Sequence, residues 1–218
     1  MNNAVNAKTP DLYITGIAKA DALLKSDGTA LLIGMLLDQQ VPMEWAFTGP
    51  HTIRERLGHV DAKKIAAMDI EEFVTMCRIK PAIHRFPDSM ARRIHGMCKI
   101  IADEYKGKGS NIWNGVDEAE ELFARLCMLP GYGEEKAQIF IALLGKRIGV
   151  RPKNWKKFAG PFSDAQPRSV ADITSAASLL KVRGFKKMQK LADVDKQDRP
   201  MNTRRSKTVR KTNAKPRD

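Results

Sequence analysis

The segment Leu129-Pro130-Gly131-Tyr132-Gly133, followed by Glu134, Glu135 and Lys136, is where this sequence is best equipped to hold a phosphate. Gly131 and Gly133 lack a Cβ, so both can take positive φ and let an anion approach the main chain closely. Free N–H groups opening the next helix would then point outward as an anion site. Leu129 behind the turn, with Ala137 and Ile141 ahead of it, would lock two amphipathic helices together. Such a corner grips one strand of a nucleic acid by its phosphates, which positions a duplex without reading its bases. The plainer reading is an αα-hairpin with a glycine C-cap; hydrophobic flanks on both sides favour the gripping one. Glu134 and Glu135 suit a helix N-terminus but oppose a phosphate there, and Lys136 is expected to offset them.

Other reactive side chains are less organised. Trp155 and Phe158 lie among Lys153, Lys156 and Lys157, an aromatic–basic mixture suited to stacking on nucleic acid. Trp45 and Trp113 read as core. His51, His59, His84 and His95 have no metal-ligand spacing, so packing or surface roles are expected and no metal site is assigned. Cys77, Cys98 and Cys127 sit apart in apolar stretches without any Cys-x-x-Cys pair, which argues for buried free thiols and against an iron–sulfur cluster or other cofactor.

Charge narrows the partner. The net charge is +13, but residues 181–218 hold 14 Lys and Arg against 4 Asp, leaving 24 basic against 21 acidic residues elsewhere. A basic C-terminal end on a nearly neutral body fits attraction to a polyanion by counterion release, and equally a merely soluble tail. No apolar run approaches the ~20 residues of a membrane span, and residues 1–10 have no signal-peptide core, so a cytoplasmic protein is expected.

Helical periodicity prevails along the chain, which predicts an all-α fold. Helices are expected over 16–25 and 29–40, then from Pro42 with an interruption at Gly49-Pro50 before 51–57. Asp61 and Asp69 cap short helices over 62–68 and 70–78, and Asp88 opens a long one to about Tyr105. The corner lies within a hairpin over 117–147. A Pro- and Gly-rich loop over 150–168 follows, with a last helix from Asp172 or Thr174 to about Lys190. Residues 11–15 are the one strand candidate. A polar, basic tail over 196–218 is expected to be disordered.

Leu129-Pro130-Gly131-Tyr132-Gly133 through Ala137 resembles the hairpin of the helix-hairpin-helix (HhH-GPD) base excision DNA repair glycosylases. Two upstream matches follow in that family's order. Leu31-Leu32-Ile33-Gly34-Met35-Leu36-Leu37-Asp38-Gln39-Gln40 resembles its apolar helix ending in glutamine, and Phe86-Pro87-Asp88-Ser89-Met90-Ala91-Arg92-Arg93-Ile94 the helix start before the hairpin lobe. In detail the likeness is to an actinobacterial-type branch. It implies two helical lobes in a domain over 10–195, and a cleft that receives a nucleotide flipped from double-stranded DNA. By the same likeness Gln40, with Gln39, reaches the vacated position or the flipped base; a monomer is expected.

The likeness breaks at the chemistry. The family's lyase lysine position holds Glu135, so no strand-cutting activity is expected, and the position of its catalytic aspartate falls at Lys153. Asp38, beside the glutamines, and Asp172, after the loop, are the carboxylates best placed to substitute, ahead of Asp164. A solvated helix end for Asp38 and an N-cap for Asp172 are the plainer alternatives. Two functions stay open: a monofunctional N-glycosylase removing a damaged or mismatched base, and a non-catalytic DNA-binding protein that kept the fold. A purely structural hairpin with an RNA-binding tail is a distant third.

Overall fold

The computed structural model describes residues 12–197, and these form an all-helical protein. The helices are α1 (Ala18–Ser26), α2 (Gly28–Leu37), α3 (Met43–Leu57), α4 (Ala62–Ala67), α5 (Ile70–Arg78) and α6 (Pro87–Glu104), then α7 (Ala119–Cys127), α8 (Glu134–Leu143), α9 (Trp155–Ala159) and α10 (Ala176–Gln197). No described helix is long and apolar enough to cross a membrane.

Everything is built around α2. Its sequence, GTALLIGMLL, is apolar on every side, as a helix must be if it is enclosed all round. Asp27 caps it by accepting from the N–H groups of Thr29 and Ala30. Around it, α1, α3 and α6 pack on one side, with α4 and α5 against α6. On the other side α8 packs on α7 and α9, and the turn Val170–Asp172 joins α8 to the start of α10. The two groups are the lobes the resemblance implies.

Glycines let helices approach where side chains would collide. A Cβ on Gly28 would lie 2.4 Å from the main-chain nitrogen of Ser110, and one on Gly109 would lie 2.6 Å from that of Thr29. Gly109 also donates its N–H to the Thr29 hydroxyl at 3.1 Å, so this contact is backbone against backbone.

Several boundaries differ from expectation. Helix α3 runs unbroken through Gly49 and Pro50, because Gly49 packs against Leu37 where a Cβ would come within 2.3 Å. Tertiary packing there outweighs the N–H that proline lacks. Residues 12–15 form no strand: Ile14 and Thr15 lie in a bend, where Asp21 accepts from both of their N–H groups. Asp11 lies outside the described residues. The last helix starts late, since Ser169 and Asp172 close a capping box around a 3₁₀ turn. It then runs past Lys190 to Gln197, into the first residues assigned to the tail; residues 198–218 are outside the described range.

The Gly28–Gly109 contact leaves no room for a methyl group and no flexible atom to yield. Gly28→Ala is expected to destabilise the protein by about 1–3 kcal/mol, read as a lower urea midpoint at unchanged m-value. An unchanged midpoint would show that the two backbones are not in contact.

Candidate nucleic-acid interface and active-site cleft

The hairpin forms between α7 and α8. Gly131 is left-handed at φ +81, as the turn requires, whereas Gly133 is extended at φ −103 and ψ 179. The backbone of Gly133 therefore makes no demand for glycine; the residue is exposed, and nothing lies within 4 Å of where its Cβ would be. The first-turn amides of α8 follow directly and have no partner within their own helix.

Two side chains of the turn face inward, contrary to a direct role in gripping a strand. Leu129 and Tyr132 are buried, and the Tyr132 hydroxyl donates to the Leu32 carbonyl at 2.9 Å. Burial holds that phenol well above its ordinary pKa. Pro130 rests against Gly96 of α6. Lys136 does not offset Glu134 and Glu135 at the turn either. Its Nζ points into the cleft and donates to the Leu36 carbonyl at 2.9 Å. The cation beside the turn is Arg93, a residue sequence reasoning missed, with its Cδ 3.5 Å from the Cβ position of Gly131.

The end of α2 divides its two glutamines. Gln39 is a strut: its amide nitrogen donates to the Leu36 carbonyl at 2.7 Å, and its Oε1 accepts from Arg93 at 3.1 Å. Gln40 is exposed at φ +55, a left-handed conformation that a non-glycine residue adopts at a cost of about 1–3 kcal/mol. Buried His84 maintains the turn. Its Nδ1 accepts from the Phe86 N–H at 3.0 Å, so Nε2 carries the proton and donates to the Gln39 carbonyl at 2.9 Å.

Between Gln40 and the hairpin lies a cavity of about 820 Å³, with Met35, Val41 and Ile139 in its walls and Asp38, Lys136 and Lys186 among its polar groups. Asp38, at the C-terminal end of α2, is half-buried. Burial raises its pKa from 3.8, and the ammonium groups of Lys186 and Lys136 pull it back. Burial likewise brings Lys136 down to about 8, against the support of the Asp38 carboxylate. The pair is therefore poised to change charge closer to neutrality than either group would in water.

The other sequence candidates lie elsewhere. Asp172 is tied into the framework: one oxygen accepts from Lys146 at 2.6 Å and the other from the N–H groups of Arg168 and Ser169. Trp155 is half-buried and lies against Gly145, where a Cβ would come within 2.6 Å of the indole, so it packs instead of offering a face for stacking. Asp164 pairs with Arg168, and Lys153 is exposed and pairs with Glu118 at 3.2 Å. One carboxylate was missed. Glu44, in the first turn of α3, pairs with Arg183; its second oxygen is buried without a hydrogen-bond partner, and its charge adds to the upward push on Asp38. Nothing in the sequence distinguishes it from an ordinary helix-start glutamate.

The cysteines do not suit an iron–sulfur cluster, which takes four such ligands. Cys77, Cys98 and Cys127 stand on or at the ends of three different helices. Burial pushes Cys77 up to about 12 and Cys98 higher still. Among the described residues no group of three or more His, Cys, Asp or Glu could hold a metal ion.

Comparison with known proteins agrees with this geometry. The model of the HhH-GPD superfamily base excision DNA repair protein matches residues 33–200, from the middle of α2 to beyond α10. No curated protein and no solved structure matches the chain. With the match spanning most of the sequence, and the hairpin, the α2 glutamines and the cleft inside it, the chain belongs to the HhH-GPD superfamily of base excision DNA repair proteins.

Proposed function

We propose that the protein is a monofunctional DNA N-glycosylase that hydrolyses the bond between a damaged or mismatched base and its sugar, working as a monomer on double-stranded DNA. One observation carries the reading: the half-buried Asp38 carboxylate lies in the cavity framed by the hairpin and the strained Gln40. All three features come from one chain, so no second copy is needed to complete the site.

In this mechanism the first-turn amides of α8 hold a strand by its phosphates. A nucleotide leaves the stack, Gln40 takes the vacated position, and the base enters the cavity. As the glycosidic bond breaks, its electron pair leaves with the base and positive charge grows on the sugar. The Asp38 carboxylate stabilises that charge and accepts a proton from the water that adds to the anomeric carbon; the departing base takes up a proton. No amine is assigned to attack the sugar, because Glu135 stands at the lyase position and the Lys136 amine is bound to the Leu36 carbonyl. A second reading, a DNA-binding protein without catalysis, draws on exposed Lys153 where the family keeps its acid.

Release of free base from a panel of damaged and mismatched duplexes separates the two. Asp38→Asn is expected to slow single-turnover release by about 10²–10⁴-fold, with duplex binding retained. Binding of every duplex without release by the wild-type protein would leave the non-catalytic reading. Covalent trapping on borohydride reduction would overturn the monofunctional assignment and point to Lys136.

The pH profile gives an independent check. Asp38 must be ionised to accept a proton, so the rate should rise with pH along a limb centred above the ordinary 3.8 of a carboxylate. Lys136→Met removes a cation that favours the ionised form, and should move that limb further upward. A limb that stays in place would mean another group titrates.

For the hairpin, open space around Gly133 and its extended backbone mean that Gly133→Arg should leave stability unchanged while blocking the amides. Duplex affinity is expected to fall at least about tenfold, or ~1.4 kcal/mol. Equal affinities across several salt concentrations would refute the gripping role.

A further inference from the structure

Helix α10 carries Arg183, Lys186, Lys187 and Lys190 at the i, i+3, i+4, i+7 spacing that places side chains on one face. Buried Leu179 and Val182 anchor its first turns, and half-buried Phe185 lies under the Arg168 guanidinium, 5.3 Å from the ring centroid. Residues 187–192 are all exposed.

The basic face is turned to the cleft. Lys186 and Lys190 line the cavity together with Gly133 and Lys136 of the hairpin side. The same two lysines, with Arg183 and Lys187, line a shallower groove of about 330 Å³ that continues past Val41, Pro42, Met43 and Glu44. Cavity and groove share Val41, Pro42, Lys186 and Lys190, so they form one continuous depression with a cationic wall.

The carboxylates facing this wall do not neutralise it. Glu44 takes Arg183, and Asp38 and Glu135 lie inside the cavity. Lys186 Nζ lies 3.4 Å from the Met43 sulfur, and Lys187 and Lys190 make no ion pair among the described residues. Like charges at i, i+4 repel one another, and Lys186 and Lys190 stand at that spacing on the cavity side of α10, so an anion bound between them relieves the repulsion. From Arg183 to Lys190 the axis advances ~10 Å at the α-helical rise, enough to follow about three phosphates of one strand.

We infer that the basic face of α10 is a second phosphate-binding surface, which holds the DNA backbone next to the nucleotide entering the cavity, across the cleft from the hairpin. This assignment rests on the DNA-repair reading of the same cleft. Its occupant is duplex DNA because the row of cations runs into the cavity that the hairpin flanks. The hairpin holds phosphates by main-chain amides and α10 by side-chain charge, so the strand is held from both sides of the extruded nucleotide.

The test is the salt dependence of binding to a duplex oligonucleotide containing a single tetrahydrofuran abasic site. Three proteins are compared: wild type, Lys187→Gln/Lys190→Gln, and a control of equal charge, Lys19→Gln/Lys64→Gln, in which exposed lysines of α1 and α4 away from the cavity are neutralised. Each phosphate contact contributes about 0.9 to the slope of log K against log salt, so the α10 variant should be flatter by about 2 while the control keeps the wild-type slope. Neutral methylphosphonates at the contacted positions should then remove the difference between wild type and the α10 variant. If both variants flatten the slope equally, net charge alone is responsible and the α10 assignment is wrong, with the hairpin reading intact. If the wild-type protein binds no duplex, the DNA reading fails and takes this assignment with it.

Discussion

The cleft depends on how the hairpin is fastened to α2. Tyr132 donates to the Leu32 carbonyl and Lys136 to the Leu36 carbonyl, both at 2.9 Å and both spanning a sequence separation of 100 residues. Each bond reaches a carbonyl on the central helix, and together they fix the corner's distance and rotation relative to the end of α2. In a packed interior, losing one leaves a polar group without a partner, so the geometry is enforced as well as favoured. Asp38, Gln39 and Gln40 follow directly on the last turn of α2, where Gln39 donates to the Leu36 carbonyl and His84 donates to the Gln39 carbonyl. The corner and the Asp38–Gln40 segment therefore keep their spacing through hydrogen bonds to the body of α2.

Residues that look interchangeable in sequence divide their work across this frame. Gln39 and Gln40 are adjacent and identical, yet the first braces the hairpin through Arg93 and the second sits exposed at φ +55. The two glycines of the corner divide similarly: Gly131 supplies the left-handed turn and Gly133 supplies an unobstructed approach to the amides. Lys136, which reads as a surface cation beside a phosphate site, becomes a cleft residue coupled to Asp38. Its charge favours ionised Asp38 while burial disfavours it, and the balance leaves the carboxyl raised.

The site is also electrostatically asymmetric. Glu134 and Glu135 at the hairpin oppose an anion, while the α10 side of the cleft offers lysines. An anion in the cleft would meet dipolar amides, which act at close contact, on one side and screened side-chain charges, which act from further away, on the other. Asp172 and Trp155 have no part in this. One oxygen of Asp172 meets a lysine and the other two backbone amides, and Trp155 packs on Gly145, so both stabilise the lobe behind the cleft.

What the sequence by itself determined is local. Helical periodicity and capping aspartates located most of the helices, an apolar run marked α2 as the enclosed helix, and the Leu-Pro-Gly-Tyr-Gly corner marked the hairpin and with it the family. Each of these follows from spacing along one short segment. Tertiary structure decided which carboxylate faces the cavity, which way Lys136 points, that Glu44 and the α10 lysines stand at the same opening, and that α3 continues through Pro50. The physical reason is that burial and charge coupling depend on neighbours far along the chain. A carboxylate at the end of α2 acquires its raised pKa only when the tertiary fold buries it, and the lysines that α8 and α10 bring to the same cavity pull it partly back.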